Sequence, residues 1–180
     1  MKATNEFDVK LKRIYQVLEQ EKLYACYLKR QDNFAWLTCG GINYVSVGDM
    51  GNCGLLITRD KRYAITNNIE GPRMREEERL EEMGFELLEG IWHDSGFEQA
   101  QIENICKGQP VGYDYGSMGT DISSLIQKQR FSLTPEEIKR YLEGGKKASR
   151  LIEETAASIR PGNTEWCVTA KMAEKAREEG

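Results

Sequence analysis

The run CGLLIT, residues 53–58, is followed after only Arg59-Asp60-Lys61 by RYAIT, residues 62–66. Both runs favour a strand, and three polar residues between them leave room only for an antiparallel hairpin. Any fold of this chain must accommodate that hairpin. Leu23 to Leu28 forms a nearly continuous apolar run, as expected of a central strand covered on both faces. Phe85 to Leu88 and Val111-Gly112-Tyr113 add two more strands. Between them lie helical patterns. Phe7, Leu11, Ile14 and Leu18 recur on one face of a helix over 7–20, with Asn5 as its N-cap. Arg73 to Met83 follows Pro72 and stops at Gly84, with Glu76, Glu77 and Glu78 on a solvated face. Ser95 to Cys106 and Asp121 to Lys128 complete the series. Strands alternating with helices around one hairpin predict an α/β fold with a mixed sheet.

The pattern changes at Thr134. T-P-E-E supplies an N-cap, Pro135 at the first helical position and Glu137 closing a capping box. Helical spacing then continues through Gly144-Gly145 to Pro161-Gly162. Each glycine costs a helix roughly 1 kcal/mol relative to alanine, so a close backbone neighbour is expected there. A second helix follows from Glu165 to Glu179, capped by Thr164. Residues 1–133 therefore read as one α/β unit, and 134–180 as the opening of a second domain.

Composition closes off several functions. The chain has 180 residues, 39% apolar and 30% charged, enough for a core with a solvated outside. Its formal charge is −4 with both signs interleaved, and no basic stripe suits a nucleic acid. Apolar runs are too short to span a bilayer, and Met1 to Asn5 lacks the order of a secretion signal, so a cytoplasmic protein is expected. Five scattered cysteines without a C-x-x-C pair read as reduced, structural thiols.

Catalytic constellations are equally sparse. His93 is the only histidine, which rules out a nitrogen-rich metal site built from this chain alone. Gly116-Ser117-Met118-Gly119 has Tyr115 where a nucleophile elbow needs glycine, and its histidine precedes the serine. Gly48 to Gly54 is glycine-rich but leads into a strand instead of following one, so it reads as a loop and not a phosphate cradle. QDNFAWLTCGG, residues 31–41, reads as a short helix with Asp32 as N-cap and Gly40-Gly41 as its stop. Phe34, Trp36 and Leu37 cannot share one helix face, so one of them is expected to meet something other than the sheet. Core packing is the first reading for Trp36 and ligand contact the second. The loop from Asn43 to Asn52 is the place for contact with a substrate or partner, through Asn43, Tyr44, Asp49 and Asn52.

These segments, in their order, resemble the N-terminal domain of the creatinase, prolidase and Xaa-Pro aminopeptidase family. D-N-F-A-W-L-T-C-G-G is similar to that family's N-x-x-Y-L-T-G segment. LLITRDKRYAITNNIE, Arg73 with Glu76-Glu77, and VGYDYGSMG follow in matching order. T-P-E-E-I-K-R-Y, K-A-S-R-L-I-E-E and I-R-P-G-N-T-E resemble the linker and opening helices of the pita-bread catalytic domain. The sequence departs from the pattern at Cys39, where glycine is usual, and at Trp36, where tyrosine is usual. Met50-Gly51-Asn52 also offers no aromatic or arginine side chain to a partner's pocket.

The resemblance implies a ribonuclease-H-like domain with a six-stranded mixed sheet and no catalytic metal. That domain would help form a homodimer and overhang the partner's active site. It further implies that the parent protein hydrolyses Xaa-Pro peptides with two divalent metals, Mn, Co or Zn. Their ligands, two Asp, one His and two Glu, would all fall beyond Gly180, leaving this chain inactive alone. A non-enzymatic binding or dimerisation module and a creatinase-like amidinohydrolase parent are the rival readings.

Overall fold

The computed structural model describes residues 3–116 and 118–179; Ser117, weighed above as a nucleophile, lies outside them. The chain divides into two compact units, Met1–Ser132 and Leu133–Gly180.

The first unit is built on a six-stranded sheet of order β4-β3-β2-β1-β5-β6. Its strands are β1 (Ala25–Arg30), β2 (Met50–Thr58), β3 (Arg62–Asn67), β4 (Glu86–Gly90), β5 (Val111–Tyr113) and β6 (Thr120–Asp121). The expected hairpin pairs Leu55 with Ala64 and Leu56 with Tyr63, and β2 also runs antiparallel to β1. The other pairings, β1 with β5, β3 with β4 and β5 with β6, are parallel. This is the mixed α/β sheet that the sequence predicts, with β1 internal.

Side-chain alternation along the strands fills two cores. On one face Cys26, Leu28, Leu55 and Ile57 pack with α1 (Ala3–Gln20), α2 (Gln31–Leu37) and α5 (Ser123–Arg130). On the other, Ala25, Tyr27, Leu56 and Ile65 meet Ile102 and Cys106 of α4 (Phe97–Cys106). Tyr27 fits because β2 carries glycine beside it: a Cβ on Gly54 would overlap the Tyr27 hydroxyl.

Several local readings are corrected. α1 begins at Ala3, so Asn5 sits within the helix and not before it. α2 begins one residue before Asp32, and its N-cap, Arg30, makes no side-chain cap. Phe34, Trp36 and Leu37 are all buried in one core, and the expected contact beyond the sheet is with helices, since α2 is enclosed by α1 and α5 as well as by β1 and β2. The helix expected over 73–83 is only α3 (Gly71–Glu76). Beyond it Arg79 adopts a left-handed φ of 54°, which turns the chain so that Leu80 enters the core. Glu78 is not solvated with its neighbours: its carboxylate accepts from the Ile42 amide at 2.9 Å.

The second unit contains α6 (Pro135–Ala157) and α7 (Glu165–Glu178). The capping box forms as expected: Thr134 Oγ1 accepts from the Glu137 amide at 3.2 Å, and Glu137 Oε2 accepts from the Thr134 amide at 2.8 Å. Thr164 accepts from the Cys167 amide at 3.3 Å and starts α7. Lys175 pairs with Glu154 at 2.5 Å, and Arg150 with Glu179, tying the two helices together. Among the described residues no backbone approaches Gly144 or Gly145, since a Cβ on either meets nothing within 4 Å.

Candidate functional site

α2 ends at Leu37, and the chain reaches β2 through a loop over residues 38–49. Both ends of the loop are fixed. At the first, Asn43 is only 2% exposed and its side chain imitates a strand partner for Cys53. Oδ1 accepts from the Cys53 amide at 2.8 Å, while Nδ2 donates to the Cys53 carbonyl at 2.6 Å. The Asn43 carbonyl accepts in turn from Asn52 at 3.1 Å. Gly51 is required beside this clamp, because a Cβ there would overlap the Asn43 amide. Arg73 Nη1 donates to the Ile42 carbonyl at 2.8 Å and pairs with Glu70 at 2.6 Å, so α3 braces the same segment.

At the second end, the Asp49 carbonyl accepts from the Gln31 amide at 2.9 Å, and its carboxylate lies 3.3 Å from Arg30. Gln31 Nε2 donates to the Met50 carbonyl at 2.9 Å. Between these anchors Tyr44, Val45 and Val47 project into solvent. Beneath the loop lies an open depression of about 510 Å³, lined by Arg30, Asp32, Asn43, Tyr44 and Asp49 among others.

The five sequence candidates separate. Asn43, Tyr44 and Asp49 line this depression, but both polar atoms of Asn43 are spent on Cys53. Asn52 lines a second crevice, on the α4 side of the sheet. Trp36 is 7% exposed in the core, its carbonyl accepting from Lys10 Nζ at 2.6 Å with that ammonium 5.7 Å from the ring centroid. Its indole Nε1 is buried without a hydrogen-bond partner.

Sequence reasoning missed the polar chain that shapes the floor. Arg30 bridges Asp49 and Asp32, and Asp32 pairs with Arg130 at 2.6 Å. Arg130 donates to Asn33 Oδ1 at 2.8 Å, and Asn33 Nδ2 donates to Asp114 at 2.8 Å. These residues come from β1, α2, the loop before β2, α5 and the end of β5, so no local spacing could reveal them. The one available signal was an aspartate directly after the apolar strand VGY.

No protein-family model matches the sequence, and no curated protein does. Solved structures do. The Xaa-Pro dipeptidase from Bacillus anthracis is similar over 97% of this chain and 50% of its own, with a TM-score of 0.72 and 19% identity. The X-Pro aminopeptidase from Thermotoga maritima MSB8 is similar over 94% of this chain and 49% of its own, at 0.66 and 20% identity. The prolidase from Pyrococcus horikoshii OT3 covers 95% and 49%, at 0.66 and 15% identity. The chain has the fold of half a Xaa-Pro peptidase.

At these identities the likeness to Xaa-Pro peptidases is one of fold, and the chain spans about half the length of the structures it matches. Among the described residues, no three His, Cys, Asp or Glu side chains converge on a metal position. The acids near the loop are engaged with arginines, Asp32 with Arg130 and Asp49 with Arg30. The residues present therefore do not fit a two-metal centre.

Proposed function

We propose that the chain is the non-catalytic N-terminal domain of a metal-dependent Xaa-Pro peptidase, followed from residue 134 by the first helices of its catalytic domain. The observation carrying this reading is the extent of the structural likeness: 97% of this chain matches half of a Xaa-Pro dipeptidase. In the parent, two divalent metals and a proline-containing peptide would be held by residues beyond Gly180.

The domain's own contribution is to dimerise and to cover the partner's active site with the loop before β2, around Asn43 to Asp49. Support comes from the way that loop is clamped at Asn43 and at Asp49 while Tyr44, Val45 and Val47 stay exposed. A cytoplasmic setting agrees with five free cysteines. Burial pushes the Cys26 thiol up and the Cys53 thiol up to about 12, so both stay protonated.

The test is to read the coding sequence past Gly180 and assay the whole product with manganese on Xaa-Pro dipeptides and on creatine. Two Asp, one His and two Glu downstream, with release of the Xaa residue, are expected. A continuation lacking that ligand set refutes the peptidase reading and leaves a binding module. Turnover of creatine alone moves the parent to amidine hydrolysis.

A further inference from the structure

Across the sheet from the loop, the strands end in a second crevice of about 400 Å³. Its position follows from topology. From β1 the chain first adds β2, β3 and β4 on one side, then crosses on α4 to place β5 on the other. The crevice lies at the carboxyl ends of β1, β3 and β4, beside the amino end of β2, with α4 over it.

Strand register gives the floor its chemistry. Asn67 pairs with Gly90, and the β2–β3 ladder that sets Gly54 opposite Ile65 brings Asn52 into line with Asn67. Lys29 at the end of β1 joins this row, its Nζ 3.4 Å from the Asn52 carbonyl. Gly90 has no side chain because a Cβ would overlap the Phe97 ring, which seats the first turn of α4 over the strand ends. That turn brings Glu98 into an ion pair with Lys29.

The pair is not saturated. Lys29 is 16% and Glu98 34% exposed. Lys29 has three donors and spends two, on the Oε2 of Glu98 and on the Asn52 carbonyl. Below them the Tyr27 hydroxyl, on a residue 2% exposed, lies beside Glu98 without a well-aligned hydrogen bond. Asn67 Oδ1 accepts from the amides of Ile69 and Glu70, which leaves its Nδ2 donors for the crevice. Ile91, Trp92 and Met118 stand exposed on the rim.

We propose that this crevice binds a small zwitterion with an apolar side group, a free amino acid or a dipeptide. Its carboxylate meets Lys29 and the Asn67 amide, its ammonium meets Glu98, and its side group lies against Trp92 and Ile91. A lone phosphate is opposed by Glu98 and Asp94, and a lone cation by Lys29. Only a ligand bearing both charges complements both Lys29 and Glu98, which are 16% and 34% exposed. The inference is independent of the peptidase reading, since it concerns this unit alone.

The test is a ¹H–¹⁵N NMR titration of the 180-residue chain with L-leucine and glycyl-leucine. Shifts at Lys29, Asn67, Glu98 and the Trp92 indole are expected, half-saturating near about 1 mM. Leucinamide and N-acetyl-leucine, each missing one charge, should bind about tenfold more weakly, as should leucine to Glu98→Gln and to Lys29→Met. Should Lys29→Met fail to fold, the two analogues still read both charges. No shift at these residues up to about 50 mM of either zwitterion overturns the proposal. Equal binding of leucine and leucinamide overturns it as well, and would make the crevice a simple amine site.

Discussion

Asp114 has the environment that most constrains its neighbourhood. It is 2% exposed, and its two oxygens accept from the Lys29 amide at 2.8 Å and the Arg30 amide at 3.1 Å. These donors lie one step beyond the β1–β5 pairing, which ends at Tyr27 and Tyr113, so the carboxylate takes the place of a strand partner where β5 stops. Burial pushes Asp114 above the ordinary aspartate value, only partly offset by Lys29, Asn33 and Arg30. Asp32 moves the other way: burial would raise it, but Arg130 and Arg30 together hold it lower. The signs then differ. Stability from Asp32 is present above its unfolded pKa and is lost as pH falls through the depressed folded value. Asp114 binds its proton more readily when folded, so stability declines as pH rises from the unfolded value through the folded one. Carboxyl ¹³C titration should therefore show Asp114 protonating first on acidification and Asp32 last; the reverse order refutes this account. Asp114→Asn, which turns an amide NH₂ toward backbone donors, should cost about 1–3 kcal/mol in urea unfolding. Asp114 was visible in the sequence only as a residue after a strand, because its partners are 81 to 85 positions away.

Elements were legible where a period or a cap is local. The hairpin, the central strand and the T-P-E-E helix start each depend on fewer than about a dozen consecutive residues, and each is present. α3 and β6 were not legible. Two residues of β6 carry no period, and α3 stops where Leu80 gains more from burial than the helix does from another turn. The clamp at Asn43 was hidden for the same reason, since asparagine in a glycine-rich stretch signals a turn until Cys53 is seen opposite. α6 offers a direct test of local energetics. Removing its cap with Thr134→Ala should lower stability by about 1 kcal/mol. Gly144→Ala with Gly145→Ala should raise it by up to about 2 kcal/mol, because the added methyl groups meet nothing within 4 Å. Far-UV circular dichroism during heating reads both changes. A lower midpoint for the double alanine variant would mean that the glycines serve a contact outside these helices.

At the scale of the whole molecule, the sequence specifies an α/β sheet and a capped helical pair, while its surface raises the question of assembly. Tyr44, Val45 and Val47 stand exposed within a few residues of one another. Slack would let such side chains fold back, but the loop is clamped at Asn43 and Asp49, which holds them outward. Among the described residues no helix is long and apolar enough to cross a membrane, and a second copy of the chain is the occupant that the proposed function requires. In a two-fold dimer the same patch serves both subunits, so one substitution alters the interface twice. Val45→Asp with Val47→Asp places carboxylates where apolar contact is expected, and each buried unpaired charge costs several kcal/mol. Sedimentation equilibrium should find the unaltered chain dimeric and the double variant dissociating at least about thirtyfold more readily, a shift of about 2 kcal/mol. Circular dichroism should remain unchanged, because neither valine packs on the core. A monomeric unaltered chain would refute dimerisation through this unit. A double variant that stays dimeric would move the interface away from the loop, and with it the proposal that the loop covers the partner's active site.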